Sequence, residues 1–209
     1  MYLTRRRLLA ASAAASGIAL LGAPSLLRAA EIDTSGLSPI TGDVVPIGRE
    51  ERAARLARAR ALMAEHGIGA ILVEAGSSLV YFTGVRWRRS ERLTAAVIPA
   101  HGDPIVVTPF FERPSVAESL GVDADIRVWQ EDESPHALVA DYLRGLGLAG
   151  ATIGIEETVR FFAADGLAHA LPEARIVSAD PVVRGCRMRK TPGEVALMRK
   201  ASECLVNGS

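Results

Sequence analysis

Ile126-Arg-Val-Trp129 opens the stretch of sequence that decides the fold, because strand and helix patterns alternate from there to Thr152-Ile-Gly-Ile155. Both quoted segments are short apolar runs typical of strands. Residues 135–146 between them predict a helix, with Ser134 as its N-cap and Gly147 as its stop signal. A strand–helix–strand succession of this kind pairs its strands in parallel and indicates a layered α/β domain.

The alternation extends outward on both sides of this stretch. Apolar runs around a glycine-containing turn predict an antiparallel hairpin at 94–98 and 105–108, and the run Ala70-Ile-Leu-Val-Glu74 predicts a buried strand. The run Leu79–Phe82 fits either a helical turn or a short strand. Further helices are predicted at 48–66, 112–120, 161–171 and 181–186, and a further strand at 175–177. We therefore predict an α/β fold, a three-layer domain with a mixed β-sheet flanked by helices.

The helix at 48–66 carries an apolar stripe at three-to-four-residue spacing, and Gly67 ends it. Its other side alternates Arg and Glu and is expected to face solvent. The stripe that we expect to face the core consists of Ala53, Leu56, Ala57, Arg60 and Met63.

A polar hinge runs into a new helix near the end of the sequence. Thr191 is a favourable N-cap, and Glu194 follows it by three residues, as in a capping box. Val195, Leu197 and Met198 then begin an apolar face, which needs a partner surface because packing supplies most helical stability. That partner lies either on this domain or in a second domain that the chain lacks.

Three segments carry a resemblance to a known family. The hinge Arg187–Ala201 resembles the junction of the Xaa-Pro aminopeptidase, prolidase and creatinase family, and Glu51–Gly67 is similar to the first helix of that family. Tyr81-Phe-Thr-Gly84, followed by Trp87 and Ser90–Leu93, is similar to its N-domain loop. The resemblance implies an N-terminal α/β domain joined to a C-terminal "pita-bread" domain, which in the family holds the catalytic centre.

The resemblance also implies where metal chemistry would occur. The two divalent metal ions of the family bind Asp, Asp, His, Glu and Glu ligands of the C-terminal domain, and no residue of this chain corresponds to those ligands. Two such ions generate hydroxide at neutral pH and hold the scissile carbonyl. We therefore expect no cofactor and no peptidase activity from this chain alone, which is expected to be cut short or to be one half of a split gene.

The residues of the chain itself show no pattern of catalytic or metal-binding groups. The four histidines, His66, His101, His136 and His169, lie far apart and outside metal-binding spacing. No serine lies in a nucleophile elbow, and the glycine pattern at 145–150 follows a helix rather than a strand, the reverse of a dinucleotide site. We therefore predict no catalytic residues and no metal ligands here.

One loop combines aromatic rings with guanidinium groups, through Tyr81, Trp87, Arg88, Arg89 and Arg92. Arginine binds carboxylates in fork geometry, and aromatic faces stack on substrates. In the resembled family, an N-domain loop reaches the active-site mouth of a neighbouring subunit. The resemblance thus implies substrate-binding roles for Trp87, Arg88 and Arg92, with Tyr81 shaping the loop. The alternative is a solvated turn in which Trp87 fills the core or an interface.

The N-terminus reads as an export signal. Arg5-Arg-Arg7 precedes an apolar, alanine-rich run, and small residues follow at Ala29 and Ala30, a pattern that predicts a twin-arginine signal peptide. The alternative is an uncleaved membrane anchor over residues 8–27. We expect cleavage, no stable membrane insertion afterwards, and a periplasmic or secreted product.

The predicted organisation follows from these segments. We predict a signal peptide at 1–30, a linker at 31–46, the creatinase/prolidase N-terminal-like domain at 47–186, and a hinge with the start of a truncated C-terminal domain at 187–209. Four of the 24 basic residues lie in the leader, which leaves 20 basic against 24 acidic residues. A mildly acidic mature chain argues against nucleic-acid binding, which requires a concentrated basic surface.

Three hypotheses about function remain. The first is the non-catalytic N-terminal domain of an exported Xaa-Pro peptidase or creatinase-like metallohydrolase, contributing dimerisation and substrate-pocket residues. Its partner would be a second copy or a separate catalytic domain, and its substrate a proline-containing peptide or a small guanidino or carboxylate compound. The second is a stand-alone exported module that binds a small carboxylate through Trp87 and Arg88. The third is an α/β redox protein, which no cofactor motif supports.

Overall fold

The computed structural model describes residues 41–206, with side chains described as far as residue 204. The predicted signal peptide and the linker as far as residue 40 lie outside the described residues. The strands are β1 (Ala70–Glu74), β2 (Ala95–Pro99), β3 (Ile105–Pro109), β4 (Asp125–Trp129), β5 (Thr152–Ile155) and β6 (Arg175–Ser178). The helices are α1 (Arg49–His66), α2 (Ser77–Thr83), α3 (Arg113–Ser119), α4 (Pro135–Gly145), α5 (Phe161–Ala170), α6 (Asp180–Arg187) and α7 (Pro192–Val206), with a 3-10 turn at Phe110–Glu112.

The six strands form one mixed sheet in the order β4-β3-β2-β1-β5-β6. Strand β2 runs antiparallel to β1 and β3, whereas β3–β4, β1–β5 and β5–β6 pair in parallel. At the centre of the sheet, Leu72 of β1 lies opposite Val97 of β2 on one side and opposite Ile155 of β5 on the other. The predicted antiparallel hairpin and the parallel direction of the crossover strands are confirmed. Strands β4 and β5, which we expected to pair, run in the same direction but are separated by β3, β2 and β1. The run at 79–82 belongs to a helix, α2.

Helices cover both faces of this sheet. Ile71 and Val73 of β1 face a core that includes side chains of α1, α2, α3 and α6, whereas Ala70 and Leu72 face a second core built with α4 and α5. Successive residues of a strand point to opposite faces, and all five residues of β1 are buried, as expected for a strand covered on both sides. The predicted three-layer α/β fold is therefore confirmed.

Helix α1 turns only part of the predicted stripe to the core, and Leu56 and Met63 are buried as predicted. Ala53 and Ala57 are exposed, and the buried positions are Arg55, Leu56, Ala59 and Met63. Arg55 was not part of the predicted stripe, because the three-to-four-residue spacing from Ala53 passes through Leu56 and Ala57. In the structure its guanidinium satisfies buried acceptors, so that this position faces inward.

The predicted helix ends are confirmed. The Ser134 hydroxyl accepts a hydrogen bond from Ala137 N at 3.2 Å, and Gly147 adopts a left-handed φ of 73° just after α4. At the start of α7, Thr191 N donates to the Glu194 carboxylate at 2.9 Å and Glu194 N donates to the Thr191 hydroxyl at 3.2 Å. This reciprocal pair is a capping box, and it fixes where α7 begins.

Among residues 41–206, no helix combines the length and the apolar character needed to cross a membrane.

Candidate functional site

The carboxyl edge of the sheet carries most of the polar and aromatic side chains that the loops supply. Strands β1, β3, β4, β5 and β6 run in the same direction, so their carboxyl ends meet at this edge. From β1 the chain continues to β2 on one side, whereas from β5 it continues to β6 on the other side. The connections therefore diverge between β1 and β5, which is the topological switch point of the sheet. Open α/β sheets bind ligands outside the carboxyl ends of strands at such a point.

A buried ion pair occupies the switch point. The side chain of Glu74, the last residue of β1, has no exposed surface, and it receives Arg160 Nε at 2.8 Å and Arg160 N at 2.9 Å. The same guanidinium donates to the carbonyl oxygens of Ser90 and Arg92, the latter at 3.4 Å. Arg160 therefore ties the loop between α2 and β2 to the end of β1.

A second buried carboxylate, Glu156, lies just after β5. It accepts hydrogen bonds from the Ser78 hydroxyl at 3.0 Å and from the Thr158 hydroxyl at 2.6 Å. Arg187 in turn donates to the hydroxyls of Ser78 at 2.7 Å and Ser77 at 2.9 Å. Glu74 and Glu156 are thus both engaged by side chains of the chain itself.

Three of the four predicted site residues lie on the loop after α2. Trp87 is half-buried and packs against the core on the α1 side of the sheet. Arg88 is exposed and forms no ion pair with another described residue. Arg92 donates through Nε to Glu131 at 3.0 Å, and its guanidinium lies 5.5 Å from the centroid of the Phe111 ring.

Tyr81, the fourth predicted residue, lies elsewhere. It belongs to helix α2, is 9% exposed, and donates its hydroxyl to Cys186 O at 3.1 Å. The guanidinium of Arg55 sits 4.0 Å above its ring, and burial raises the pKa of the phenol. We expected Tyr81 in the same loop as the arginines, but its side chain is part of the core, because α2 turns the ring toward α1 and α6.

Four exposed phenylalanines lie at this edge, and the sequence did not lead us to predict them as site residues. Phe110 and Phe111 directly follow β3 and are 45% and 49% exposed, and Phe161 and Phe162 begin α5 and are 80% and 38% exposed. We call these four residues the phenylalanine surface. The sequence does carry a signal for this surface. Two Phe-Phe pairs each come shortly after a strand, and these pairs contain four of the five phenylalanines of the chain.

The loop after α2 connects the two halves of the phenylalanine surface. The Arg92 guanidinium faces Phe111, and the Arg160 guanidinium lies 4.7 Å from the centroid of the Phe162 ring. Arg160 also binds the carbonyl oxygen of Arg92. Aromatic and arginine side chains thus form one continuous patch, a composition typical of protein interfaces.

Comparison with known proteins places this architecture in a family. The profile of the Creatinase/Prolidase N-terminal domain matches residues 55–189. The probable dipeptidase PepE of Mycobacterium tuberculosis is 34% identical over 158 residues, which are 75% of this chain and 41% of that protein. The chain therefore spans about two fifths of the length of this curated relative.

Solved structures agree with the profile match. The crystal structure of dipeptidase PepE from Mycobacterium ulcerans superposes with a TM-score of 0.63 at 33% identity, covering 71% of this chain and 39% of that one. The N-terminal domain of the Xaa-Pro dipeptidase from Lactobacillus brevis shares the fold, with a TM-score of 0.57 at 19% identity, covering 63% of this chain and 98% of that one. On the strength of the profile and the sequence identity, this chain belongs to the creatinase/prolidase N-terminal domain family.

Proposed function

We propose that this chain is the non-catalytic N-terminal domain of an exported Xaa-Pro peptidase or creatinase-like metallohydrolase. The observation that carries the proposal is the match of residues 55–189 to the N-terminal domain of a peptidase family, in a chain that spans 41% of its dipeptidase relative. Its contribution would be dimerisation and residues of the substrate pocket. Hydrolysis of a bond next to proline, or of a guanidino compound, would belong to a catalytic domain.

We infer that the described residues, 41–206, would not hold the two divalent metal ions that the family resemblance implies. Within residues 41–206, no group of three or more His, Cys, Asp or Glu side chains could hold a metal ion. The buried carboxylates Glu74 and Glu156 are held by Arg160 and by hydroxyl groups. We therefore derive no catalytic step through a metal ion from this chain.

The loop after α2 is the part of the chain that we propose contacts substrate. Arg88 projects from it as an exposed cation beside the half-buried ring of Trp87. The guanidinium suits a peptide carboxylate, because it binds the negative charge. The aromatic face suits a proline ring, because it packs on that apolar ring. Arg160 holds this loop through the carbonyl oxygens of Ser90 and Arg92, which positions it against the sheet.

Trp87 provides a direct test of this substrate role. We expect the fluorescence of the full chain to change saturably when Ala-Pro or creatine is added, with a dissociation constant on the order of 1 mM. Trp129 is 7% exposed and bonded to Leu93 O, so it serves as a constant background. Arg88→Gln is expected to weaken binding about tenfold, the effect of losing one charge-assisted hydrogen bond. A flat titration would contradict the role of the loop and leave the family assignment intact.

The phenylalanine surface supports dimerisation by the same edge of the sheet. On one side, Arg92 of the loop after α2 lies against Phe111, and its guanidinium pairs with Glu131, the first residue of the acidic run Glu131-Asp-Glu133 after β4. A two-fold symmetric pair brings the same surface patch of both subunits together, so the basic loop of one copy can meet the acidic run of the other. This charge self-complementarity favours a second copy of the chain as the partner.

Helix α7 supports a second partner, the catalytic domain itself. Val195 and Met198 on this helix are 41% and 57% exposed. Its beginning is fixed to α1 by the Arg55–Glu194 ion pair at 2.9 Å, so the exposed apolar face is presented in a defined direction. We propose that this face packs against the domain that carries the metal centre.

We also propose that the protein is exported by the twin-arginine route to the periplasm or beyond, because Arg5-Arg-Arg7 precedes an apolar run without acidic residues. The proposal predicts that replacing Arg5 and Arg6 with lysine retains the chain in the cytoplasmic fraction, and unchanged export of that variant would contradict it.

A further inference from the structure

A cavity lined by an excess of cations lies between residues 44–47, α1, α2 and α7. Its volume is about 520 Å³. The charged residues that line it are Arg52, Arg55, Arg86, Arg187, Lys190 and Glu194. We call it the cation cavity. Five positive side chains and one negative one surround the same space, which is unusual in a domain whose described residues carry nearly balanced charge.

The single carboxylate that lines the cation cavity already has partners within the chain. Glu194 pairs with Arg55 at 2.9 Å and caps α7 through Thr191. Arg52 donates to the carbonyl oxygen of Ile47 at 2.5 Å, which is a neutral acceptor.

The remaining cations of the cavity also lack a negative partner. Arg187 donates to two serine hydroxyls, and Lys190 donates to the carbonyl oxygen of Arg187. Within residues 41–206, none of Arg52, Arg86, Arg187 and Lys190 forms an ion pair. Four cations that form no ion pair therefore line one cavity. Two of them, Arg187 and Lys190, also line a second pocket that contains Glu156, Glu157 and Asp180.

Arg52 and Arg55 are held in place by packing, whereas Arg86 and Lys190 are exposed at the rim of the cluster. Gly84, with a left-handed φ of 83°, and Gly121 both pack on the Arg52 side chain, since a Cβ at either glycine would lie 3.0 Å from a guanidinium nitrogen. The Nε atoms of Arg52 and Arg55 are buried without a hydrogen-bond partner. Burial, together with the charges of Arg55 and Arg86, lowers the pKa of Arg52.

Some exposed arginines of the domain pair with acids, such as Arg49 with Asp123 and Arg184 with Glu157. Others, such as Arg88 and Arg113, form no ion pair with a described residue, but they do not line this cavity. Positive charges that are gathered around a cavity and left without partners repel one another, and this cost is relieved when an anion binds between them. A negative ligand that is not part of the chain would supply the counter-charge that Glu194 alone does not provide.

The rest of the cavity wall is apolar. It is formed by Val44, Pro46, Ile47, Val80, Leu197 and Met198. A site with a few convergent charged groups and an apolar wall is typical of small-molecule binding. We propose that the cation cavity binds a small organic anion, with a carboxylate or phosphate head held by the arginines and a short apolar body against α7. This inference uses neither Trp87 nor Arg88, although Arg86 lies on the same loop after α2.

The test is isothermal titration calorimetry of the full chain with hexanoate and with inorganic phosphate, using hexan-1-ol as the uncharged control. We expect saturable binding of an anion and none of the alcohol. Arg86→Gln and Lys190→Gln are each expected to weaken binding about threefold, and the double variant about tenfold, because each removes one attractive charge. Arg113→Gln removes an exposed cation of α3 outside the cavity and should bind as the wild type does.

A second variant tests the site without removing an arginine. Met198→Glu places a carboxylate at the exposed mouth of the cavity and is expected to abolish hexanoate binding while circular dichroism shows an intact fold. A flat titration of the wild-type chain with both anions would overturn the proposal. Loss of binding in Arg88→Gln, with wild-type binding in the Arg86 and Lys190 variants, would also overturn it by placing the anion on the loop.

Discussion

Replacing Glu74 with alanine is expected to reduce the free energy of unfolding by about 3 kcal/mol, because removing one partner of a buried ion pair leaves the other charge uncompensated. The Glu74 side chain has no exposed surface and accepts three donors from Arg160. The Arg160 side chain is 30% exposed, so water recovers part of the loss. A loss of this size is a large fraction of the stability of a single domain. Urea unfolding followed by circular dichroism measures it.

Glu157→Ala is the matched control for Glu74→Ala. Glu157 lies at the same edge and pairs with Arg184, but both side chains are largely exposed, at 41% and 57%. Exposed pairs contribute roughly 0–1 kcal/mol, so the control should unfold nearly as the wild type does. Equal losses in the two variants would refute the anchoring role of Glu74. The loop held by Arg160 should also become more accessible to protease in Glu74→Ala, because its two carbonyl contacts lose their support.

The second large effect is expected at the phenylalanine surface. The double substitution Phe111→Ala with Phe161→Ala should raise the dimer dissociation constant about 100-fold, since central aromatic residues carry most of the binding free energy of an interface. The two residues come from opposite halves of the surface and are 49% and 80% exposed, so their truncation leaves the core intact. Sedimentation equilibrium of the full chain measures the constant.

The exposed face of α7 supplies the control for this experiment. Val195→Ala with Met198→Ala removes apolar surface of similar exposure from a different side of the chain. We expect this variant to dimerise as the wild type does. If it dissociates and the Phe111/Phe161 variant does not, the chain associates through α7 instead. A wild-type chain that stays monomeric at about 1 mM would contradict dimerisation by either face.

The fold could be predicted from the sequence because its signals are local. Gly147 and the Thr191–Glu194 capping box mark helix ends through contacts within four residues, and the alternation of Ile71 and Leu72 between two cores follows from strand geometry. The antiparallel pairing of β2 with β3 could be predicted for the same reason, because these two strands flank one short turn.

The site was less predictable because its contacts join residues far apart in the chain. Arg55 is buried through Tyr81 and Glu194, partners that lie 26 and 139 residues away. The helical spacing that was used to predict the stripe carries no information about these distant partners, and the contact with Arg55 also explains why Tyr81 lies in the core. The pairing of Glu74 with Arg160, across 86 residues, likewise has no local signal.

The most direct test of the proposed role is a hydrolysis assay with the purified chain. The chain is incubated with Ala-Pro in the presence of Mn²⁺ or Zn²⁺, and free proline is measured over time, with circular dichroism of the same sample to confirm that it is folded. We predict no proline release above that of buffer with metal alone. Proline release that rises in proportion to the concentration of the chain, and that persists after repeated purification, would contradict the proposal that this domain is non-catalytic.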